Sequence, residues 1–145
     1  MKTRPVAPPA PIFAIPVRIY YEDTDAGGVV YYANYLKYLE RCRTEWLRNL
    51  GVDQSALLRD PGIAFVVRHV DVDYHRPARL DDALTVDLAV ARLGHAQICF
   101  EQHVRRDDEH APLLSARVQV ACVDAARMRP TALPPSLRSR LETPQ

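Results

Sequence analysis

Two aspartates one residue apart, Asp23 and Asp25, open a short turn through Ala26, Gly27 and Gly28, and the chain then enters Tyr31-Tyr32-Ala33-Asn34-Tyr35. These residue types suit chemistry at a carbonyl. A carboxylate can attack an acyl carbon or take a proton from the water that does. Glycines let the backbone approach a ligand, and the amides of a first helical turn present partial positive charge to a carbonyl oxygen in front of them. Asp25 is the candidate reactive group, with Gly28 as a point of close backbone approach. The competing role for Asp25 is a turn cap, which Asp often fills. Asp23 fits a structural role better, its side chain bonding backbone amides of the turn.

Other chemistries find no support in the spacing. A calcium loop starting at Asp23 would leave the fifth position to Gly27 and would have Asn34 where a bidentate Glu belongs. Ser55, Ser115, Ser136 and Ser139 sit in no G-x-S-x-G elbow, and neither a phosphate-binding P-loop motif nor H-E-x-x-H occurs. The five histidines are scattered without ligand spacing, so no metal site is expected. His75 and Arg76, in a loop before Pro77, are candidates for contact with a substrate, as is Arg68; a solvated side chain is the plain alternative for each.

The elements that must position these residues follow from periodicity. Phe13, Ile15, Val17, Ile19 and Tyr21 alternate as in a strand that buries one face. After the glycine turn the period changes to three and four: Tyr35, Leu39, Cys42, Trp46 and Leu50 lie on one face, with Lys37, Glu40, Arg41, Glu45 and Arg48 opposite. This predicts one amphipathic helix closed by Gly51. A short helical piece over 55–59 ends at Pro61. Strand-like segments follow at 63–74, 83–91, 96–105 and 113–123. The first shifts phase between Val67 and Val70, which predicts a bulge near Arg68. Leu133, Leu137 and Leu141 predict a terminal turn of helix lying back on the sheet. A strand, a long helix and four further strands predict an α+β fold, an antiparallel sheet of about five strands wrapped around one helix. Residues 1–11 read as a flexible Pro/Ala-rich arm and 12–145 as a single domain.

Composition bounds the function classes. At 145 residues with 48 % hydrophobic content the chain can build one real core. A net charge of +1 suggests neither a nucleic-acid groove nor an anionic membrane surface. The excess of Arg over Lys suits forked contacts to phosphate, although base-composition bias explains it equally well. Cys42, Cys99 and Cys122 are odd in number and each lies in an apolar stretch, which suits reduced thiols. Pro5, Pro8, Pro9, Pro11 and Pro16 break the apolar residues near the N-terminus, so no signal peptide is expected, and no run has transmembrane length. The expected location is the cytoplasm.

With these elements in place, the stretch from Tyr20 to Tyr35 resembles the active-site region of the 4-hydroxybenzoyl-CoA thioesterase branch of the hotdog-fold enzymes. Within that branch it is most similar to the Tol-Pal-associated, YbgC-like acyl-CoA thioesterases. The likeness continues through Glu40 to Arg48, Ala64 to Arg68, Pro77 to Asp82, Cys122-Val123-Asp124 and Pro130 to Pro134. The resemblance implies the hotdog fold and hydrolysis of an acyl-CoA to free acid and coenzyme A without a metal or bound cofactor. It implies that Asp25 acts on the thioester, as nucleophile or as base for water, and that the backbone amide of Tyr32 polarises the carbonyl. It places the coenzyme A nucleotide near Arg92 and His95, and the sites between subunits of a homodimer or homotetramer.

Tyr32 departs from many YbgC-like relatives, which carry His there; imidazole catalysis is out of reach, but an amide donor is indifferent to its side chain. The same gap argues against a dehydratase, another hotdog activity. The alternative function is a non-catalytic module that binds acyl-acyl carrier protein or a cell-envelope partner. An intact Asp25 favours the enzyme, because a binder gains nothing from a desolvated carboxylate facing an apolar tunnel. The preferred acyl group, its carrier and the role of Asp25 as nucleophile or base stay open at the level of sequence.

Overall fold

The computed structural model describes residues 9–142. Of the expected N-terminal arm, residues 1–8 lie outside the described residues, and 9–11 are exposed without regular structure. Strand β1 (Phe13–Arg18) forms as predicted but stops short of Tyr21. The Asp23 carboxylate accepts the Tyr20 amide at 2.8 Å and folds Tyr21–Asp23 into a 3-10 turn. Tyr21 is therefore 82 % exposed, whereas Ile19 keeps its inward position and is fully buried.

Helix α1 (Asn34–Asn49) carries the predicted face: Tyr35, Leu39, Cys42, Trp46 and Leu50 are all buried. Each fully buried side chain of this size contributes about 1.5–3 kcal/mol, so the stripe alone fixes how the helix lies on the sheet. Gly51 follows in the left-handed region at φ 81°, where a side chain would be strained. A short α2 (Gln54–Arg59) is capped by Asp53, whose carboxylate accepts the amides of Ser55 and Ala56.

The remaining strands are β2 (Ile63–Tyr74), β3 (Ala83–Leu93), β4 (Gln97–Arg106), β5 (Leu114–Asp124) and a two-residue β6 (Arg129–Pro130) that the sequence did not signal. All pairings are antiparallel in the order β1-β3-β4-β5-β2, with β6 added to β5. The register of β2 against β5 shifts between Val67 and His69, which is the bulge predicted at Arg68. Helix α1 lies across one face of this sheet, with the Trp46 ring edge-on to Phe100 of β4 at 5.5 Å. Helix α3 (Pro135–Glu142) returns over the β3–β4 turn, burying Leu137 behind Leu133. Among the described residues no helix is long and apolar enough to cross a membrane.

One end of the sheet matters for the site. The ends of β1, β2 and β4 and the starts of β3 and β5 meet there, because Tyr74 pairs with Leu114, Val104 with Leu114, and Arg18 with Ala83. The N-terminus of α1 opens at the same end, where the Tyr35 ring packs on Tyr74 at 5.7 Å.

Candidate active site

The loop before α1 is built by its own polar groups. Thr24 and Val30 pair across a tight reversal, in which Asp25 N donates to Val29 O at 2.9 Å and Gly28 N to Asp25 O at 3.0 Å. Gly28 has φ 79°, which demands glycine, and no atom lies within 4 Å of where its Cβ would stand, so the space beside it is open. The carbonyl of Asp23 accepts both Tyr31 N at 3.0 Å and the Asn34 side-chain amide at 2.9 Å, which ties the start of the reversal to the start of the helix. Val30 N donates to Ala78 O, and the Tyr35 hydroxyl accepts Ala78 N, both at 2.9 Å. Arg106 then braces the next turn, bonding Pro77 O and Asp82. Arg79 to Asp82 form this turn, in which Asp82 N donates to Arg79 O at 3.1 Å.

Asp25 caps its own turn and keeps one carboxylate oxygen free. Its Oδ1 accepts the Gly27 amide at 2.8 Å, as a turn cap does, while Oδ2 has no protein partner among the described residues. The expectation of a desolvated carboxylate needs correction: in the single chain Asp25 is exposed. Tyr20, Tyr31 and Tyr32, flanking it in sequence, are exposed with it. No described element of the same chain covers them.

Tyr32 precedes α1 by one turn residue rather than lying within the helix. Its ring is 61 % exposed and stands 4.9 Å from Tyr31 and 6.4 Å from Tyr74. Its carbonyl accepts the Tyr74 hydroxyl at 3.0 Å, and its amide donates to no protein acceptor among the described residues. Helix α1 begins after Ala33 with no side-chain cap, so the field of the helix terminus is not quenched by a carboxylate or hydroxyl of the chain. Asp25 and the Tyr32 amide therefore belong to one stapled hairpin, a carboxylate oxygen and a free N–H at the positive end of a helix.

The other anticipated residues are spread along the sheet. His75 follows β2 at the same end as the loop, its Nε2 3.0 Å from Ser115 Oγ. Arg76 is engaged by Glu109 at 3.0 Å and by Ala111 O. Arg68 stands exposed at the bulge, midway along β2. Arg92 and His95 lie at the opposite end, beside the β3–β4 turn, where the His95 carbonyl accepts Leu133 N and the Arg138 guanidinium. β3 spans about 30 Å, so one chain does not bring Arg92 or His95 to Asp25.

Sequence reasoning missed Tyr74 and Asn34 as loop holders, since one read as an apolar strand residue and the other only as a failed calcium ligand. It also missed a buried polar group between helix and sheet. Gln102 is fully buried on β4; its Nε2 donates to Leu39 O and Asp87 O, and its Oε1 accepts Arg43 at 3.0 Å. Beside it the Asp87 carboxylate accepts His103 N at 2.8 Å and stands 3.3 Å from its ring, a hydrogen bond that raises the His103 pKa against the opposing effect of burial. Burial pushes the Cys42 thiol up to about 12, which removes it as a nucleophile.

The Thioesterase superfamily model matches residues 27–112. The chain is 48 % identical over 127 residues to the acyl-CoA thioesterase YbgC of Haemophilus influenzae, covering 88 % of this chain and 92 % of that protein. A probable thioesterase from Bartonella henselae superposes with a TM-score of 0.77 at 35 % identity, covering 83 % of this chain and 98 % of the other. A 1,4-dihydroxy-2-naphthoyl-CoA thioesterase from Synechocystis, at 21 % identity, shares the fold with a TM-score of 0.83 over 89 % of this chain and 94 % of its own. The sheet order, the helix it carries and these matches agree, and the chain belongs to the thioesterase superfamily with its hotdog fold.

Proposed function

We propose that this thioesterase hydrolyses acyl-CoA, with Asp25 as the base that activates water and the Tyr32 amide as the donor to the thioester oxygen. The observation that carries the reading is the Asp25 carboxylate, pinned through Oδ1 and free at Oδ2, on the hairpin that ends at the unpartnered Tyr32 N–H. Oδ2 takes a proton from water as the water oxygen bonds to the acyl carbon. The carbonyl electrons move onto the oxygen held by Tyr32 N–H. On collapse the C–S bond breaks, and the thiolate of coenzyme A leaves with the proton that Asp25 had taken. Pinning of Oδ1 favours base over nucleophile, since it fixes the carboxylate and shares its charge. A single turnover in heavy-oxygen water tests this: label in the product acid alone is the expected result, and label in Asp25 requires an anhydride with its carboxylate and refutes the base.

A second copy of the chain completes the site. β2 is an edge strand, with Val67, Val70 and Tyr74 exposed along it, and a long unpaired apolar edge calls for cover. Two-fold pairing of β2 with its mate runs antiparallel and brings the partner's β3–β4 turn to the end of the joint sheet where Asp25 lies. Arg68, His75 and the partner's Arg92 and His95 then reach coenzyme A, and the aromatic surface around Asp25 is covered. Cys42, Cys99 and Cys122 are all free thiols, in keeping with work in the cytoplasm.

The deciding experiment is Asp25→Asn assayed by thiol release from a panel of acyl-CoAs. A positioned base supplies roughly 10²–10⁴ in rate, and kcat falls by that factor while the fold and substrate binding survive. A variant within threefold of wild type refutes the assignment and returns the chain to the binding-module reading, with acyl-acyl carrier protein as the ligand to test.

A further inference from the structure

A cavity of about 100 Å³ lies between α1 and the inner face of the sheet. Phe65 and Val67 of β2 and Phe100 of β4 wall one side, and Glu40, Arg43 and Thr44 of α1 the other. At about 30 Å³ per water-sized group it holds roughly three or four non-hydrogen atoms. Apolar and polar side chains both line it, and among the polar ones Arg43 is held by a fully buried partner.

Gln102, itself fully buried, holds one guanidinium nitrogen of Arg43 at 3.0 Å and is in turn fixed by two main-chain carbonyls. That partner is neutral. Among the described residues no carboxylate comes within ion-pair distance of Arg43. Glu40, the acid that bears on it most, is exposed and accepts the Thr44 hydroxyl at 2.7 Å. The cation is therefore partly desolvated, aimed by a rigid acceptor, and left with most of its N–H donors unused. Taking a charge out of water without pairing it is costly, and an anion that enters the cavity recovers that cost. Glu40 opposes such an anion only through a solvent-screened charge.

Resting on the acyl-CoA reading above, we propose that Arg43 binds a carboxylate at the far end of the acyl group, so that the favoured substrates are coenzyme A monothioesters of dicarboxylic acids. Between Asn34 and Arg43 the helix rises about 13 Å, so a chain that starts at the Tyr32 amide and ends at this guanidinium is of medium length. β2 passes both places, with Tyr74 at the loop and Val67 and Phe65 at the cavity.

The test compares pairs of thioesters matched in chain length, hexanoyl-CoA against adipoyl-CoA and octanoyl-CoA against suberyl-CoA, on wild type, R43M and R43K. Wild type favours the carboxylate-ended member in kcat/KM by about tenfold or more, the scale of a charge-assisted hydrogen bond. R43M brings that ratio to about one or below, and R43K keeps part of the preference. The ratio is internal to each protein, so a general loss of activity or stability does not imitate the effect. A wild type that prefers the methyl-ended member at both lengths, or an R43M ratio equal to that of wild type, overturns the proposal. If wild type hydrolyses none of the four, the acyl-CoA reading fails by itself, and calorimetric titration with free suberate decides on the cavity. Binding that R43M loses supports the carboxylate site; no binding, or equal binding by R43M, overturns it.

Discussion

The contact between Gln102 and Arg43 invites a double-mutant cycle, because removing either partner leaves a polar group of the other without its mate. In Q102L a leucine fills the buried site, but the half-buried guanidinium loses its one protein acceptor among the described residues. A hydrogen bond to a charged group contributes about 1.5–3 kcal/mol, and added apolar burial offsets roughly 1 kcal/mol of the loss, so Q102L costs about 0.5–2 kcal/mol. In R43M the thioether follows the aliphatic stem of Arg43, and the cost of about 1–2 kcal/mol comes from leaving Gln102 Oε1 buried and unpaired. The double variant leaves neither group orphaned, so its cost falls short of the sum by about 1–2 kcal/mol. Leu39 O and Asp87 O lose the Gln102 amide whether or not Arg43 is present, so their share cancels from the cycle. Equilibrium urea unfolding of the four proteins, at one protein concentration and pH 7, reads the coupling if the m-values agree. Additivity within about 0.5 kcal/mol refutes the reasoning, since it means that the guanidinium finds water or another acceptor in the folded protein.

Three further outcomes follow from the site and its surroundings. Tyr32→Phe keeps kcat within a few-fold of wild type, because in the proposed mechanism the amide and not the phenol meets the carbonyl; a loss beyond about a hundredfold, the scale of a missing oxyanion donor, makes the hydroxyl catalytic. Val70→Lys puts a charge on the free edge of β2, and light scattering at micromolar concentration should find wild type a dimer or tetramer and the variant a monomer; a monomeric wild type defeats the proposed pairing. His103 has a raised pKa in the fold, so its contact with Asp87 stabilises fully below the unfolded value near 6.5 and is lost as pH rises through the higher folded value. The melting temperature of His103→Gln relative to wild type should accordingly converge on the alkaline side of neutrality, and a difference that does not change with pH removes His103 from the account.

The sequence disclosed whatever a local period can encode. Tyr35, Leu39, Cys42, Trp46 and Leu50 mark a helix face because helical spacing and burial coincide there, and the slip of phase beyond Val67 reveals a bulge because one extra residue must reverse every later side chain. The end of β1 was hidden, since Tyr21 continues the alternation and only the bond from Asp23 to the Tyr20 amide breaks it. Gln102 was hidden for a different reason. It occupies an inward position between Phe100 and Val104, where a polar residue looks like an error of register until Arg43, 59 positions away, is placed beside it. The exposure of Asp25 was equally out of reach, because the resemblance describes an assembled site and periodicity has nothing to say about what covers a loop.

The hydroxyl of Tyr74 donates to the carbonyl of Tyr32, so the strand with the unpaired edge also grips the loop that bears Asp25 and Tyr32. Tolerance to substitution at that edge and tolerance at the Asp25 loop then become a single quantity. A change on β2 that is harmless to folding still travels through one phenol to the peptide preceding α1, and variants selected for altered self-association will drift in turnover as a by-product. On the pairing proposed above, engineering a single-copy form accordingly requires a replacement brace for Tyr32 before the edge is redesigned.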